Sequence, residues 1–321
     1  MNQEVLVSNL TNPTILFFLL GMVAVWLKSD LEIPAASSKF ISLYLLFSIG
    51  FKGGQELAHS GLNTEIALSI IFGICIAFMI PLYVFFLLKK KLSVYDRAAV
   101  AASYGSVSAV TFVAAVSFLE MHQLKSGGHM VAVMALMESP AIIMGFILMR
   151  MYDLDESSRT SFRHVIRHSF TNGSVLLIFG SLLIGLVSDS KQAEGIMPFT
   201  TDIFKGFLAI FLLEMGMVTA RRFSTFRQYG KTMLMYGLLI PLLNGIVVAI
   251  ISGSITSDVS NRFIFSVLAA SASYIAVPAA MRLANPKADP GLYIPMALGV
   301  TFPLNITIGM PLYFYLVQSF N

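Results

Sequence analysis

Two segments of the chain place small and hydroxyl-bearing residues inside otherwise apolar runs. The first is 101–111, AASYGSVSAVT, and the second is 269–278, AASASYIAVP. Gly105 permits backbone angles that other residues avoid, while Pro278 lacks an amide donor and disfavours helix at Val277. We therefore expect both helices to break near mid-membrane. A broken helix offers N–H groups to an anion and free carbonyls to a cation, and serine hydroxyls bind either ion.

The two segments also match one another in spacing. Arg97 opens the first run and Arg262 opens the second, and at equal distances from these arginines both runs carry Ser-x-Ser and then Ala-Ala. The matching serines are Ser106, Ser108, Ser271 and Ser273. Small residues that only allow close helix packing are the alternative explanation. Two such segments at matching positions favour a small polar binding site at the centre of the bilayer.

Two oxygen-bearing side chains in other apolar runs suggest a cation site. Glu138 is followed by Pro140, and Asn305 follows Pro303. Ionisable groups inside membrane spans are costly and therefore mark functional positions. Carboxylate and amide oxygens suit a hard cation such as Na⁺. A structural hydrogen bond between helices is the alternative role for each.

The elements that must hold these residues are apolar runs. The 321 residues are 56% hydrophobic and 12% charged, whereas about a quarter of a soluble domain is charged. This composition excludes a soluble globular domain, and a run of about 20 apolar residues crosses a bilayer. The ten runs are 13–28, 38–54, 65–88, 98–119, 130–151, 174–187, 204–220, 232–251, 263–283 and 292–318.

The loops between the runs carry basic residues unevenly. When runs alternate sides, 16 of the 21 Lys and Arg residues fall on one side, which the positive-inside rule makes cytoplasmic. Both termini then lie outside, and the linker 153–171 lies in the cytoplasm. Five runs on each side of the linker invert the second half relative to the first. We predict an all-α integral membrane protein of the cell inner (plasma) membrane, with about ten transmembrane helices in two inverted five-helix repeats, 1–152 and 172–321.

The usual enzyme signatures are not found in this sequence. It has no Gly-x-Ser-x-Gly, no His-Glu-x-x-His, no phosphate-binding loop ending in Lys-Ser/Thr and no pair of cysteines. Any transport across the membrane is therefore expected to use the energy of an ion gradient rather than ATP. We expect neither an enzyme nor a cofactor. The net charge of +4 lies in short loops rather than on one soluble face, so we expect no nucleic-acid partner.

Motifs in both halves resemble the sodium-dependent bicarbonate transporter family. In order, they are 105–115 GSVSAVTFVAA, 134–141 MALMESPA, 269–282 AASASYIAVPAAMR, 303–306 PLNI and 311–313 PLY. The resemblance covers nearly the whole chain. It implies a symporter that takes up bicarbonate with Na⁺ as coupling ion. It also implies elevator-like movement of helices three to five and eight to ten against helices one, two, six and seven, with helices four and nine as discontinuous crossing helices.

The resemblance further implies a homotrimer in contact with membrane lipid, on whose cytoplasmic face a PII-like regulatory protein can dock. Glu138 falls where cyanobacterial members carry an Asp before Ile-Pro. With the residues identified above, the predicted substrate-binding residues are Gly105, Ser106, Ser108, Thr111, Ser271, Ser273 and Tyr274. The predicted sodium-binding residues are Ser108, Glu138, Ser273 and Asn305.

The sequence departs from the cyanobacterial members at both motifs. Their Ser-Gly-Ser-Thr is Ser-Ala-Val-Thr at 108–111, and Tyr274 stands in place of their carboxylate. The predicted site is therefore less polar than theirs. A transporter of another small solute, such as a carboxylate or organic acid, stays open as an alternative. A passive channel or membrane sensor is the alternative from another class.

Overall fold

A computed structural model describes residues 13–60, 63–153, 173–226 and 229–320, together with Arg167 and Thr171. Within these ranges the chain is helical and contains no strand. The first 12 residues and almost all of the predicted linker 153–171 lie outside the described residues.

The helices of the first half follow the first five apolar runs, with the fourth run divided in two. Side-chain caps define two of their starts, since Asn63 accepts a hydrogen bond from the backbone N–H of Ile66 at 2.9 Å and Ser93 accepts one from Asp96 at 3.0 Å. The helices are α1 Pro13–Trp26, α2 Ala35–Ser60, α3 Thr64–Leu87, α4 Val94–Gly105, α5 Ala109–Met121 and α6 His129–Tyr152.

The helices of the second half follow the last five runs, and the ninth run is also divided. The long final helix alternates between α and π turns. The helices are α7 Gly173–Val187, α8 Ser190–Glu194, α9 Phe204–Phe226, α10 Gly230–Ile251, α11 Val259–Ala270, α12 Ala276–Ala284 and α13 Pro290–Ser319.

Six helical stretches among the described residues are long and apolar enough to cross a membrane. They are Thr64–Leu87, Val94–Met121, His129–Tyr152, Pro198–Arg221, Gly230–Ser254 and Pro290–Ser319. Three further apolar helices, α1, α7 and α11, are shorter. Helix α2 has sufficient length but carries Lys39, Lys52 and Glu56. Judged by length and composition alone, the described residues therefore contain fewer membrane-spanning helices than the ten predicted.

The helices pack into two groups. In the first, which we call the scaffold group, α1 packs on α9 and α2 packs on α7. Glycines bring these backbones together, because a Cβ on Gly21 would lie 2.0 Å from the carbonyl oxygen of Leu213 and one on Gly54 would lie 2.1 Å from that of Leu182. The second, the core group, contains α3–α6 and α10–α13, with α3, α4 and α6 packed together and α10 packed on α11 and α13.

Helices α4 and α11 lie in the interior of the core group. Every residue from Arg97 to Gly105 in α4 is buried, as is every residue from Ser260 to Ala270 in α11. Small side chains in both helices allow their neighbours to approach closely. The protein therefore encloses the two segments whose composition is least suited to contact with lipid.

Candidate substrate and ion site

The first predicted break lies between α4 and α5. Helix α4 ends at Gly105, and α5 begins at Ala109. The hydroxyl of Ser108 caps α5 by accepting a hydrogen bond from the backbone N–H of Thr111 at 3.2 Å. Serine favours such caps because its hydroxyl replaces a helical backbone partner. The sequence-based prediction of a broken fourth helix is therefore confirmed.

The second break, at residues 271–275, separates α11 from α12. The Ser273 hydroxyl accepts a hydrogen bond from the backbone N–H of Val277 at 3.4 Å. Val277 is helical, so the prediction that Pro278 keeps it out of helix is wrong. Pro278 is the third residue of α12, where the amide it lacks would have no partner within the helix. The ninth helix is broken as predicted, but just before the turn that contains the proline.

Gly105 serves the first break through close packing rather than through an unusual backbone angle. Among the described glycines the one with a positive φ is Gly230, so the expected use of strained angles at Gly105 is wrong. A Cβ at Gly105 would lie 2.1 Å from Cγ of Pro81 in α3. The absence of a side chain therefore allows the end of α4 to pack on α3.

The two breaks cross, and hydrogen bonds of backbone groups and serine hydroxyls join them. The N–H of Ser273 donates to the carbonyl oxygen of Ser103 at 2.8 Å, and the Ser103 hydroxyl donates to the carbonyl oxygen of Ser273 at 2.6 Å. The N–H of Ser108 donates to the hydroxyl of Ser271 at 3.0 Å. These bonds satisfy polar groups that the interrupted helices leave free inside the protein.

A cavity adjoins the crossing, between the core group and the scaffold group. The space available to the centres of water-sized molecules is about 40 Å³. By the same measure one water needs about 10–15 Å³, so the cavity holds a solute of roughly three or four heavy atoms. Its polar wall consists of Ser42, Ser108, Glu138, Ser174, Ser273 and Tyr274.

The electrostatic environment of the cavity combines two helix N-termini with one carboxyl group. Ala109 and Val110 at the start of α5 line the wall, as do Ile275 and Ala276 at the start of α12. Helix N-termini carry partial positive charge and attract anions. Glu138 from α6 is the acidic side chain among the lining residues, and the described wall has no Lys or Arg. The arrangement thus presents donors for an anion beside a carboxyl group suited to a cation.

Comparison with known families gives one match that spans most of the chain. A family model described as the Na⁺-dependent bicarbonate transporter superfamily matches residues 13–318. The chain belongs to this superfamily. The predicted family is confirmed, and the superfamily is one of transporters rather than enzymes. Membership and the apolar helices together make the chain a multi-pass membrane protein of a family that couples anion transport to Na⁺. A search of curated proteins gave no match.

Four of the predicted site residues in this superfamily member line the cavity. They are Ser108, Glu138, Ser273 and Tyr274. The Tyr274 hydroxyl faces the Ser108 hydroxyl without reaching hydrogen-bond geometry. The Tyr274 hydroxyl is therefore available to a solute, and the Ser108 hydroxyl, which accepts the N–H of Thr111, still has its proton to donate.

The other predicted residues lie behind the cavity wall, among the buried residues of the core group. They are Gly105, Ser106, Thr111, Ser271 and Asn305. Ser271 bridges the two breaks, whereas the Ser106 hydroxyl is buried without a hydrogen-bond partner among the described residues. Asn305 lies at the carbonyl end of α11, where its side-chain N–H donates to the carbonyl oxygen of Ala270 at 2.8 Å. The predicted residues thus divide between the wall of the cavity and its support.

Sequence analysis missed the cavity residues that the scaffold group contributes. Ser42 from α2, Ser174 from α7 and Phe211 from α9 complete the wall. A serine inside an apolar run is the signal that would have identified the first two residues. The runs contain many serines, however, and only the packing of α2 and α7 against the core group distinguishes these two.

Proposed function

We propose that this protein is a sodium-coupled symporter that takes up a small anion, with bicarbonate as the first candidate. One observation carries the proposal. The N-termini of α5 and α12 meet at a small cavity between the core and scaffold groups, where the hydroxyls of Ser108 and Ser273 join them. Hydroxyl and N–H donors at two helix N-termini suit an oxyanion. The size of the cavity suits an anion of four heavy atoms.

The carboxyl group in the cavity supports coupling to a cation. When ionised, Glu138 repels an anion bound at the same cavity, because charges interact strongly where water is excluded. A Na⁺ ion beside Glu138 removes that repulsion, so each ion increases the affinity of the site for the other. The hydroxyls of Ser108 and Ser273 supply further oxygen ligands at this wall. The proposed binding of anion and cation is therefore mutually dependent.

Asn305 is proposed as a second sodium ligand on the far side of the crossing. The Tyr313 hydroxyl donates its one proton either to this side chain's oxygen at 3.3 Å or to the carbonyl oxygen of Pro241 at 3.2 Å, so its contact with Asn305 is weak and a cation can replace it. The backbone carbonyls at the end of α11 have no helical partner in the direction of the break. Carbonyl ends of broken helices bind Na⁺ in other transporters. The oxygen atoms around Asn305 therefore favour a cation.

Inverted repeats over 1–152 and 172–321 are part of the proposal, and two matched contacts support them. The Asp96 carboxylate, at the start of α4, accepts a hydrogen bond from the N–H of Asp289 before α13 at 2.8 Å. The Asn261 side chain, at the start of α11, accepts one from the N–H of Gly127 before α6, also at 2.8 Å. Each crossing helix thus anchors the helix that follows the other crossing helix. Such reciprocity is expected when two halves share one fold.

The remaining features of the proposal come from the superfamily and the charge pattern. We place the protein in the cell inner (plasma) membrane with both termini outside and the linker 153–171 in the cytoplasm. The core group is proposed to move like an elevator against the scaffold group, and the protomers to assemble as a homotrimer. A PII-like protein is proposed to dock at the cytoplasmic face.

Uptake of labelled bicarbonate into proteoliposomes tests the proposed function. With high external Na⁺ and a Na⁺-free interior, we expect accumulation above the external concentration. With equal Na⁺ on both sides, or with K⁺ in its place, accumulation should cease. Equilibration without accumulation under every gradient would instead identify a passive channel. Absence of Na⁺-dependent uptake would exclude bicarbonate as the transported solute.

A small carboxylate is the second candidate, because much of the cavity wall is apolar. Val107, Val110, Val113, Met134 and Phe211 line it beside the serines. Such a wall suits a carboxylate with a short apolar portion better than a fully hydrated ion. A ligand raises the thermal stability of the protein that binds it. A thermal-shift series of bicarbonate, formate, acetate and propionate, each with and without Na⁺, ranks the candidates.

A further inference from the structure

A second cavity lies in line with the first, along the same four helices. Its wall is formed by residues of α2, α5, α6 and α9 and of the loop at 122–128, and it includes Lys52, Glu56, Glu120 and Lys125. The space available to water-sized molecules is about 170 Å³, compared with about 40 Å³ in the first cavity. A larger and more charged cavity beyond a small site is the form expected of an entrance.

The residue numbers place the second cavity at one end of the first. On α2 the wall advances from Ser42–Leu46 to 49–56, and on α5 from 109–113 to 112–120. On α6 and α9, which run the other way, it recedes from Glu138 to Val131 and from Phe211 to Phe204. All four helices agree on one direction, toward the loop at 122–128. The two cavities therefore lie one beyond the other between the scaffold and core groups, and we call this line of cavities the shaft.

Ion pairs cross the wide end of this shaft. Glu120 on α5, in the core group, lies 3.7 Å from Nζ of Lys52 on α2 and 3.2 Å from Nζ of Lys205 on α9, both in the scaffold group. Glu56 and Lys125 face the same space. The side chains of Lys52 and Glu120 are 33% and 26% exposed, and that of Lys205 is 64% exposed. Ion pairs so exposed to water are weak and easily separated.

We propose that the shaft is the route by which solute and ion reach the crossing site, and that Glu120 with Lys52 and Lys205 forms a gate at its mouth. This inference rests on the proposed function, because it assigns the path to the same site. The gate joins the two helix groups that the elevator model moves past one another. Sliding of the core group separates Glu120 from both lysines. Lys52 then keeps Glu56 beside it on α2, whereas Lys205 lines the mouth as a cation that attracts the incoming anion.

Cysteine labelling tests the gate without any measurement of transport. The native Cys75 is first replaced by Ser, because it is exposed. Val116→Cys then introduces a thiol one helical turn below Glu120, and its reaction with a charged, membrane-impermeant methanethiosulfonate reagent is timed in intact cells. Met121→Cys, exposed at the end of α5, identifies the side from which the reagent acts, and Val133→Cys, buried in α6 outside the walls of both cavities, is the control that should not react.

We expect Glu120→Gln to accelerate labelling of the Val116→Cys thiol about fivefold, the factor typical for loss of a weak ion pair. The double variant Lys52→Gln with Lys205→Gln should match Glu120→Gln, and each single lysine variant should give a smaller increase. Agreement between the variants on the two sides of the ion pair separates a gate from general loosening of the helix packing, which would also expose the buried Val133→Cys thiol. Equal labelling rates with and without Glu120, or labelling only from the side opposite Met121→Cys, would overturn the proposal. If this pattern holds while bicarbonate uptake fails, the route stands and the solute is wrong.

Discussion

Ser103 and Ser273 form two hydrogen bonds with each other across the crossing of the broken helices. Ser103 accepts from the Ser273 backbone N–H at 2.8 Å and donates its hydroxyl to the Ser273 carbonyl at 2.6 Å. The two residues are 170 positions apart and both are buried. This pairing holds the two breaks in register. Their helix N-termini therefore meet at one cavity rather than at two.

The hydroxyls of Ser108 and Ser273 are expected to contribute directly to anion binding. Loss of a hydrogen bond to a charged ligand costs about 1.5–3 kcal/mol. Ser108→Ala or Ser273→Ala should therefore raise the anion concentration at half-maximal uptake about 10- to 100-fold. Uptake kinetics in proteoliposomes provide the measurement. Ser108 also caps α5, and loss of a cap costs about 1 kcal/mol, so thermal stability must be measured alongside. Ser117→Ala, buried in α5 away from the cavity, is the matched control.

Glu138 is expected to determine the response to Na⁺. Glu138→Gln keeps the shape of the side chain but removes its charge, so the Na⁺ concentration at half-maximal uptake should increase by more than about tenfold. For Glu138→Asp, the Na⁺ concentration at half-maximal uptake should lie between the values of Glu138→Gln and the native protein. Glu65→Gln in α3, whose carboxylate accepts a hydrogen bond from the Thr256 hydroxyl and lies outside the cavity wall, provides the comparison. Equal Na⁺ dependence in the Glu138 and Glu65 variants would remove Glu138 from the sodium site.

Asn305 is expected to bind Na⁺ through its side-chain oxygen. Asn305→Ala should raise the half-saturating Na⁺ concentration, whereas Tyr313→Phe removes the hydrogen bond that competes for this oxygen and should leave it unchanged or lower it. Titration of uptake with Na⁺ at fixed anion concentration measures both effects. A purely structural Asn305 would give the opposite result. In that case thermal stability would fall in Asn305→Ala while its Na⁺ dependence stayed native.

Gly105 is expected to tolerate no side chain. The Cβ of Gly105→Ala would lie 2.1 Å from Cγ of Pro81 and must displace either the end of α4 or the part of α3 that contains Pro81. Overpacking of this kind costs about 1–3 kcal/mol, which a lower unfolding temperature in detergent will show. Gly180→Ala in α7 is the control, because nothing lies within 4 Å of its added Cβ. An unchanged melting temperature in Gly105→Ala would contradict the close packing of α4 on α3.

Sequence analysis predicted the features that depend on local composition and on position along the chain. Apolar runs indicated helices because only helices and closed barrels satisfy every backbone group in lipid. Serines near Gly105 and Pro278 indicated breaks, since serine hydroxyls compete with the helical backbone for hydrogen bonds. Gly105 itself has no positive φ, and Pro278 lies in the first turn of α12. The order of motifs indicated the family. Each of these inferences depends only on residues that are near one another in the sequence or on their order along it.

Tertiary structure decided which of those residues act together. Ser42 and Ser174 join the cavity wall, and Glu120 meets Lys52 and Lys205, only because α2, α7 and α9 pack against the core group. Asn305 has a side-chain oxygen suited to a ligand in the cavity, yet the residue lies behind the crossing. Distances between residues far apart in the chain depend on how whole helices pack, and no local pattern specifies that packing. The sequence thus determined two broken helices, and their crossing determined the site.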